Sequence, residues 1–429
     1  MASRAMVPFL VAMMLLTGVC NTLLTKYQDN QCVRNCEDPD PKKRVHFEQP
    51  VIQTAQMFIG EMGCWLVIGL MSLRERYMAR KQAAGYEAVR SSDDAPEADD
   101  AASVHSNTAL NGSGAGKPAL GHDSMLAGIR VFLLAIPAIC DICGTTLMNA
   151  GLLMVAASIY QMTRGALVLF VGLFSVVFLR RRLHLFQWLS LVGVVTGVAI
   201  VGLAGAIYPD KPKPGSPHSE VVPTSSPFQV ASTAEGGLDA NALRAVVGVL
   251  LIAGAQIFTA TQFVTEEWLL ERSTIEPIRV VGWEGIFGFS ATVLGMIVMH
   301  LALGRTEAGK YGYFDMVEGW RQVVDNPKVL ISSVLIMISI GGFNFFGLSV
   351  TRSVSATSRS TIDTCRTLFI WIVSLGLGWE TFKWLQVLGF GFLVYFTFLF
   401  NGIVQPPFKF LQVEEEIEEL LPEEPVEHI

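Results

Sequence analysis

Charge is what this chain has least of. Asp, Glu, Lys and Arg make up only 16% of its 429 residues, against roughly 25% in soluble proteins. With 51% hydrophobic residues, that scarcity excludes an ordinary soluble domain and points to a membrane protein with several spans. Catalytic groupings are also missing. No His–Glu cluster, Ser–His pair or metal-ligand spacing occurs, so no enzyme activity, cofactor or metal is expected. GSGAGK at 112–117 has the wrong spacing for a phosphate loop, and Pro118 follows its lysine. The formal charge of −7 gathers in the tail EEEIEELLPEEPVEH and around Asp93–Asp100. Both read as solvated segments, and nothing suggests nucleic-acid binding. Cysteine is sparse in polar sequence. Cys20, Cys64, Cys140, Cys143 and Cys365 lie in apolar runs and read as small hydrophobes. Cys140-x-x-Cys143 has no second pair to make a zinc site. Cys32 and Cys36 sit in the polar loop CVRNC and are a candidate disulfide if that loop faces an oxidising lumen.

What is present is apolar sequence in long runs. A span needs about 20 mostly apolar residues. Ten stretches qualify, at about 5–24, 51–72, 128–153, 155–179, 184–207, 243–267, 279–303, 328–351, 355–378 and 383–403. They do not alternate as barrel strands do, so they are expected to be helices, with every backbone group satisfied within the segment. The first run has no small-x-small cleavage site after its apolar core, and reads as a span, not a signal peptide. Between runs, 73–127 becomes polar, acidic and Gly/Ser-rich and reads as a disordered cytosolic loop. Residues 208–242 read as a linker and 404–429 as an acidic cytosolic tail. With both termini in the cytosol, the short cytosolic loops hold Arg180, Arg181, Arg182, Arg272, Arg352 and Arg359, while the short lumenal loops hold only Lys383.

Two regions about 200 residues apart share a pattern. SIYQMTRG is followed by an apolar run and LRRRLHLFQWLSLVG, and SATSRSTIDTCRT by an apolar run and LGWETFKWLQVLGF. Each places an arginine in a span, Arg164 and Arg366, and later a Gln-x-Leu, at Gln187 and at Gln386. Pro50 precedes a helix carrying Glu61, and Pro277 one carrying Glu284. The expected fold is therefore an all-α integral membrane protein of ten helices. Residues 1–207 and 243–403 form two five-helix repeats. An odd number of spans per copy inverts the second copy, the arrangement of alternating-access transporters with a midplane site.

Polar groups inside the spans are the candidate site, because ionisable residues in a membrane are costly and usually functional. Asp141, Thr145 and Asn149 stand at i, i+4, i+8 on the third helix. Gln161 and Arg164 stand at i, i+3 on the fourth, and Arg359, Asp363 and Arg366 form a row on the ninth. Gln53 and Glu61 share a face of the second. The expectation is a polar cavity in which Arg164 and Arg366 hold an anionic group, and Glu61, Asp141 or Glu284 carries a coupling proton. The alternative is purely structural: Asp363 neutralises Arg366 and Asp141 pairs with Arg164. Gly282, Gly285 and Gly288 recur every third residue and read as a close-packing stripe. Glu416 with Leu420-Leu421 resembles an acidic dileucine sorting signal, and Tyr86 with Val89 a tyrosine-based one. Together they favour a lysosomal or vacuolar membrane, with the Golgi or another internal membrane as the alternative.

The chain resembles the drug/metabolite transporter superfamily, and within it the F-type branch of solute carrier family 35, the group of the nucleotide-sugar transporters. The resemblance rests on Thr17-Gly18, Asn21-Thr22-Leu23, Phe58-Ile-Gly-Glu61, Cys140-Asp141, Gly144-Thr145, Gln161-Met-Thr-Arg164-Gly165 and Gly172-Leu-Phe-Ser-Val176. In the second half it rests on Glu284-Gly285, Phe287-Gly288-Phe289, Phe343-Asn344-Phe345, Ser355-Ala356-Thr357 and Leu377-Gly378-Trp379-Glu380. It implies ten helices in inverted repeats, and exchange or proton-linked transport of a small polar or charged solute across an internal membrane. The second half has no Gly-Ala-Leu-Asn-Lys type motif of classical nucleotide-sugar carriers. The branch also resembles the chloroquine-resistance-type vacuolar transporters. Trafficking adaptors and a second copy of the chain are candidate partners beside the solute and the bilayer. The competing reading is a membrane receptor or adaptor that recruits partners through the loop and tail.

Overall fold

The computed structural model describes residues 6–37, 44–85, 128–152, 154–155, 160, 163–207, 240–306, 312–378 and 382–406. Among the described residues the chain forms eleven α-helices. These are α1 Met6–Asp29, α2 Pro50–Gly85, α3 Ala135–Leu152, α4 Leu167–Leu179, α5 Leu185–Ile207, α6 Ala240–Arg272, α7 Pro277–Met299, α8 Met316–Asp325, α9 Pro327–Ser353, α10 Ala356–Gly376 and α11 Trp384–Phe400. A 3-10 turn, Gly128–Leu134, leads into α3.

Helix starts follow local chemistry. Pro277 and Pro327 open α7 and α9, where the missing N–H costs nothing. Asn326, Ser355 and Asp315 cap α9, α10 and α8 by accepting from the backbone N–H of Lys328, Ser358 and Glu318. The α4 helix ends on Arg180 in the left-handed region, φ 56°, with its N–H returned to the Ser175 carbonyl.

Seven described helices are long and apolar enough to cross a membrane, in α1, α2, α3, α5, α6, α7 and α9, and α4 and α11 are shorter apolar helices. The α10 helix has the length, but Arg359, Asp363 and Arg366 interrupt its hydropathy. The second span was expected over 51–72, yet its helix runs on to Gly85. The hydropathy stops at RERYMARK, but that stretch is built of good helix formers, so the helix continues with its side chains exposed. For the fourth span, expected over 155–179, the regular helix covers Leu167–Leu179, and part of what precedes it lies outside the described residues. The disordered-loop and acidic-tail expectations, and the sorting signals at Tyr86, Val89, Glu416, Leu420 and Leu421, also lie outside them.

Two elements were not expected. A two-stranded antiparallel ribbon, β1 Cys32–Arg34 with β2 Val45–His46, pairs Cys32 with His46 and Arg34 with Val45. It departs from an all-α fold, and is too short to leave a pattern in the sequence. The α8 helix lies between α7 and α9, at the same end of the bundle. Its Glu318 accepts from Arg34 at 2.8 Å, and Asn326 donates to the Cys32 carbonyl at 3.1 Å. Phe47, Ile52, Val323 and Val329 form the core beneath this cap.

The packing has a regularity. The α1 helix packs on α9 and α10, α6 packs on α3 and α4, and α2 packs on α7 and α9. The α7 helix also packs on α3, α4 on α10, and α5 on α11. Swap α1 with α6, α2 with α7, α3 with α9, α4 with α10 and α5 with α11. Each of these pairs then becomes another of them, or itself. Small residues let paired helices touch: a Cβ at 341 would stand 2.5 Å from the Gly60 carbonyl oxygen, and one at 389 would stand 2.8 Å from that of Gly197. Gly282, Gly285 and Gly288 seat Trp65, Glu61–Met62 and Phe58 of α2 in turn.

Candidate functional site

A seam of polar side chains crosses the bundle, mainly along one side of α9. It starts below the ribbon. Gln53 donates to Asp29 at 2.6 Å and to Gln28 at 3.2 Å. Gln28 and Gln56 both donate to the Ser333 hydroxyl, at 2.8 and 2.9 Å. Gln53 thus serves the ribbon end of the bundle, two turns from Glu61, although the two share a face of α2.

Deeper in, Glu61 is 4% exposed and accepts from Asn344 of α9 at 2.6 Å. One turn further along α9, Gly347 leaves the space that the Arg359 guanidinium occupies: a Cβ at 347 would lie 2.8 Å from Arg359 Nε. Arg359 is 2% exposed, pairs with Glu266 of α6 at 2.5 Å, and stacks 4.2 Å above the Phe263 ring. Gln262 donates to the other Glu266 oxygen at 3.0 Å. Glu284 of α7 is buried next to Gly285, which abuts the Glu61 Cβ; its Oε1 has no hydrogen-bond partner among the described residues. Asp141 of α3 interacts electrostatically with Glu266 and Arg359. Glu266 touches the Arg359 guanidinium, and Glu61, Asp141 and Glu284 lie within electrostatic reach of it.

At the end of the bundle opposite the ribbon, Glu267 accepts from the Ala356 N–H at 3.2 Å, holding the first turn of α10. Arg181, in the α4–α5 corner, reaches Glu267 at 2.6 Å and Glu271 at 2.5 Å. Nearby, Ser175 and Thr357 hydroxyls meet at 3.1 Å. A carboxylate at a helix N-terminus also suits the helix dipole.

A second charged group lies two turns along α10. Arg366 pairs with Asp363 at 3.2 Å and stands 4.8 Å over the Phe343 ring, in the space left by Gly18. Arg164 and Tyr160 lie within electrostatic reach of it. The sequence-selected residues thus divide into two groups. Glu61, Asp141 and Glu284 converge with Arg359. Arg164, Asp363 and Arg366 form the other.

Several expectations need correcting. Arg359 was counted among the short-loop cations, but it is buried in the first turn of α10, so it is no orientation signal. Asp141 has Glu266 and Arg359 within electrostatic reach, and among the described residues no ion pair joins it to Arg164. The Thr145 hydroxyl is spent on its own helix, donating to the Asp141 carbonyl at 2.8 Å. Asn149 is exposed and does not join the seam. Gln161 lies outside the described residues. Sequence reasoning missed Glu266 and Glu267. The sixth span was drawn to stop at Glu267, where charge begins, but α6 runs five residues further. The rule applied to Asp141, that a charge inside a span is a candidate, would have found both.

The Cys32–Cys36 disulfide, with Cα atoms 5.7 Å apart, belongs to the cap. A cleft of about 550 Å³ opens between it and α8, lined by Arg34, Glu318, Arg321 and Asp325.

Comparison with known proteins places this architecture. Residues 118–257 match the family model described as nucleotide-sugar transporter. Over 402 residues the chain is 35% identical to human solute carrier family 35 member F6, covering 93% of this chain and 89% of that one. The mouse protein of the same name is 33% identical over 407 residues, 94% and 90% of the two chains. An uncharacterized protein of Schizosaccharomyces pombe is 35% identical over 394 residues, 92% and 97%. The chain belongs to the F-type branch of solute carrier family 35. As a member of that family it is a multi-pass membrane transporter of a small-molecule solute, and not an enzyme.

Proposed function

We propose that this family 35 protein is a secondary transporter working by alternating access, with ten spans in two inverted five-helix halves. The halves are α1–α5, and α6, α7 and α9–α11. The observation that carries the reading is the exchange of helix pairs described above. A fold in which α1 meets α9 and α10 as α6 meets α3 and α4 has two equivalent ways to pack, and rocking between such packings exposes a site first to one side and then to the other. Ten alternating passes put the ribbon, the disulfide and α8 together at one end, and Arg181, Glu267 and both termini at the other. The positive-inside bias assigns the second end to the cytosol.

Transport passes along the polar seam. Glu61, Asp141, Glu266 and Glu284 carry the coupling cation, and Arg164 and Arg366 set the field of the neighbouring group. The weak sorting patterns at Tyr86 and Leu420-Leu421 favour a lysosomal or vacuolar membrane for the chain, where a proton gradient is available. The test is flux into proteoliposomes holding the purified protein, with and without an imposed pH gradient, using a panel of nucleotide sugars, amino acids, small peptides and organic ions. Flux that follows the gradient and disappears in Asp141→Asn and Arg164→Ala, at matched protein abundance, is the expected result. Normal flux in both variants removes the site assignment, and no flux for any solute puts the panel in question first and then favours the adaptor reading.

A further inference from the structure

We infer that α8 lies in the surface of the bilayer at the ribbon end of the bundle, with the face of Val317, Trp320 and Val324 seated among lipid acyl chains. The inference goes beyond transport and needs only that the chain is a multi-pass membrane protein. The sequence of α8, MVEGWRQVVD, sorts into three rows. Gly319, Gln322 and Val323 point into the protein: Gly319 leaves room for the Ile52 side chain, and Val323 joins the core of Phe47, Ile52 and Val329. Glu318, Arg321 and Asp325 stand at i, i+3, i+7 and line the cleft beside the ribbon, where Glu318 holds Arg34. Val317, Trp320 and Val324 also stand at i, i+3, i+7, and are 63%, 68% and 47% exposed. The helix thus has a packed side, a charged side and a bare apolar side.

Level, continuity and chemistry together say what covers the bare side. Only Asn326 separates the end of α8 from the start of α9. The 27 residues of α9 rise about 40 Å, more than the roughly 30 Å of hydrocarbon they cross. Its first turn, and α8 ahead of it, therefore stand at the headgroup layer. The exposed apolar surface of the flanking spans also runs up to α8 from both sides. Val298, Leu301 and Leu303 carry it at the end of α7 and along the following turn, His300–Gly304, and Leu330 and Ile331 at the start of α9. Phe314, itself exposed, ties the approach to α8 back to that turn: its carbonyl lies against Gly304 and 3.3 Å from His300 Nδ1. Lipid covers this surface on the spans, and the bare side of α8 continues it. Tryptophan is enriched at membrane interfaces, and a helix with one apolar and one charged side lies in that plane. Three side chains are too few to hold a second copy of the chain, since a stable interface buries about 800 Å² per partner.

The experiment reads the surroundings of each row in the full-length protein, reconstituted into phosphatidylcholine vesicles. Val317→Cys, Trp320→Cys, Val324→Cys, Arg321→Cys and Asp325→Cys are made singly, in a background with Cys20, Cys64, Cys140, Cys143 and Cys365 replaced by alanine, and each thiol carries a nitroxide spin label. Collision of the label with oxygen, which concentrates in lipid, is compared with its collision with a water-soluble nickel chelate. The oxygen-to-nickel ratio is expected to be several-fold higher at 317, 320 and 324 than at 321 and 325. Nickel collision equally strong at all five positions places the apolar row in water and overturns the inference. Weak collision with both reagents at 317, 320 and 324 means that protein covers the row, and overturns it too; spin–spin broadening would then identify a second copy. If the background fails to fold, the unaltered chain decides. Phosphatidylcholine brominated on its acyl chains should quench the share of tryptophan emission that Trp320→Phe removes, and an unquenched share overturns the inference. None of these readings uses flux, so the transporter reading stands or falls separately.

Discussion

Arg359→Met removes the guanidinium beside Glu266 and keeps most of the side chain's length. In the native protein the two groups are 2.5 Å apart, with side chains 2% and 1% exposed. Neither charge has water to fall back on. Breaking a buried pair from one side leaves the other charge uncompensated, at a cost of about 3–5 kcal/mol. Loss of the contact with the Phe263 ring adds about 1–2 kcal/mol at a desolvated site. Here the orphaned Glu266 also shares its surroundings with Glu61, Asp141 and Glu284, which places the effect at the upper end. For a chain of this length the midpoint should drop on the order of 5 °C. The double variant Arg359→Met/Glu266→Gln removes both charges, and should recover more than half of that loss. The assay is thermal unfolding of the detergent-solubilised protein, followed by size-exclusion chromatography on heated samples. A single variant as stable as the native chain would refute the buried pair. A double variant no better than the worse single would show that Arg359 acts by packing and not by charge.

Gly341→Ala should cost about 1–3 kcal/mol, because its methyl group would meet the Gly60 carbonyl across the α2–α9 contact and neither backbone can yield; the thermal midpoint checks it. Tyr313 lies outside the spans, where partial burial of a residue still 44% exposed, and then the Glu48 carboxylate, hold its phenol above the ordinary tyrosine value. Its unfolded counterpart therefore ionises first, so stability should fall as pH rises through and beyond about 10. Tyr313→Phe should lose part of that alkaline slope in midpoints measured from pH 8 to 11.

Much of the fold could be read from hydropathy, because a bilayer leaves a chain few choices. What failed were the ends of elements. Hydropathy marks where charge begins, not where hydrogen bonding stops. That is why α2 outruns its apolar segment, and why Glu266 and Glu267 were placed at a terminus although five more helical residues follow. The short cap was hidden for a different reason. The ten residues of α8 carry Met316, Val317, Trp320, Val323 and Val324 on one arc, too few to register beside spans twice as long. Within the site, helical spacing grouped Asp141, Thr145 and Asn149 as one stripe. It was silent on what each side chain does: the Thr145 hydroxyl prefers its own backbone, and Asn149 lies beyond the polar seam. Spacing along one helix also cannot show that Arg359 and Arg366, seven residues apart on α10, serve two different groups of partners.

The central claim is that the polar seam opens in turn to each side of the membrane. Thr145→Cys tests it most directly, in a background with Cys20, Cys64, Cys140, Cys143 and Cys365 replaced by alanine. Residue 145 sits one turn from Asp141, and its hydroxyl is used only locally, so the thiol reports on the seam without dismantling it. The account predicts that a membrane-impermeant thiol reagent modifies it from either face of sealed proteoliposomes, with the balance between faces reversed by the sign of an imposed pH gradient. Modification from one face only, whatever the gradient, would contradict it.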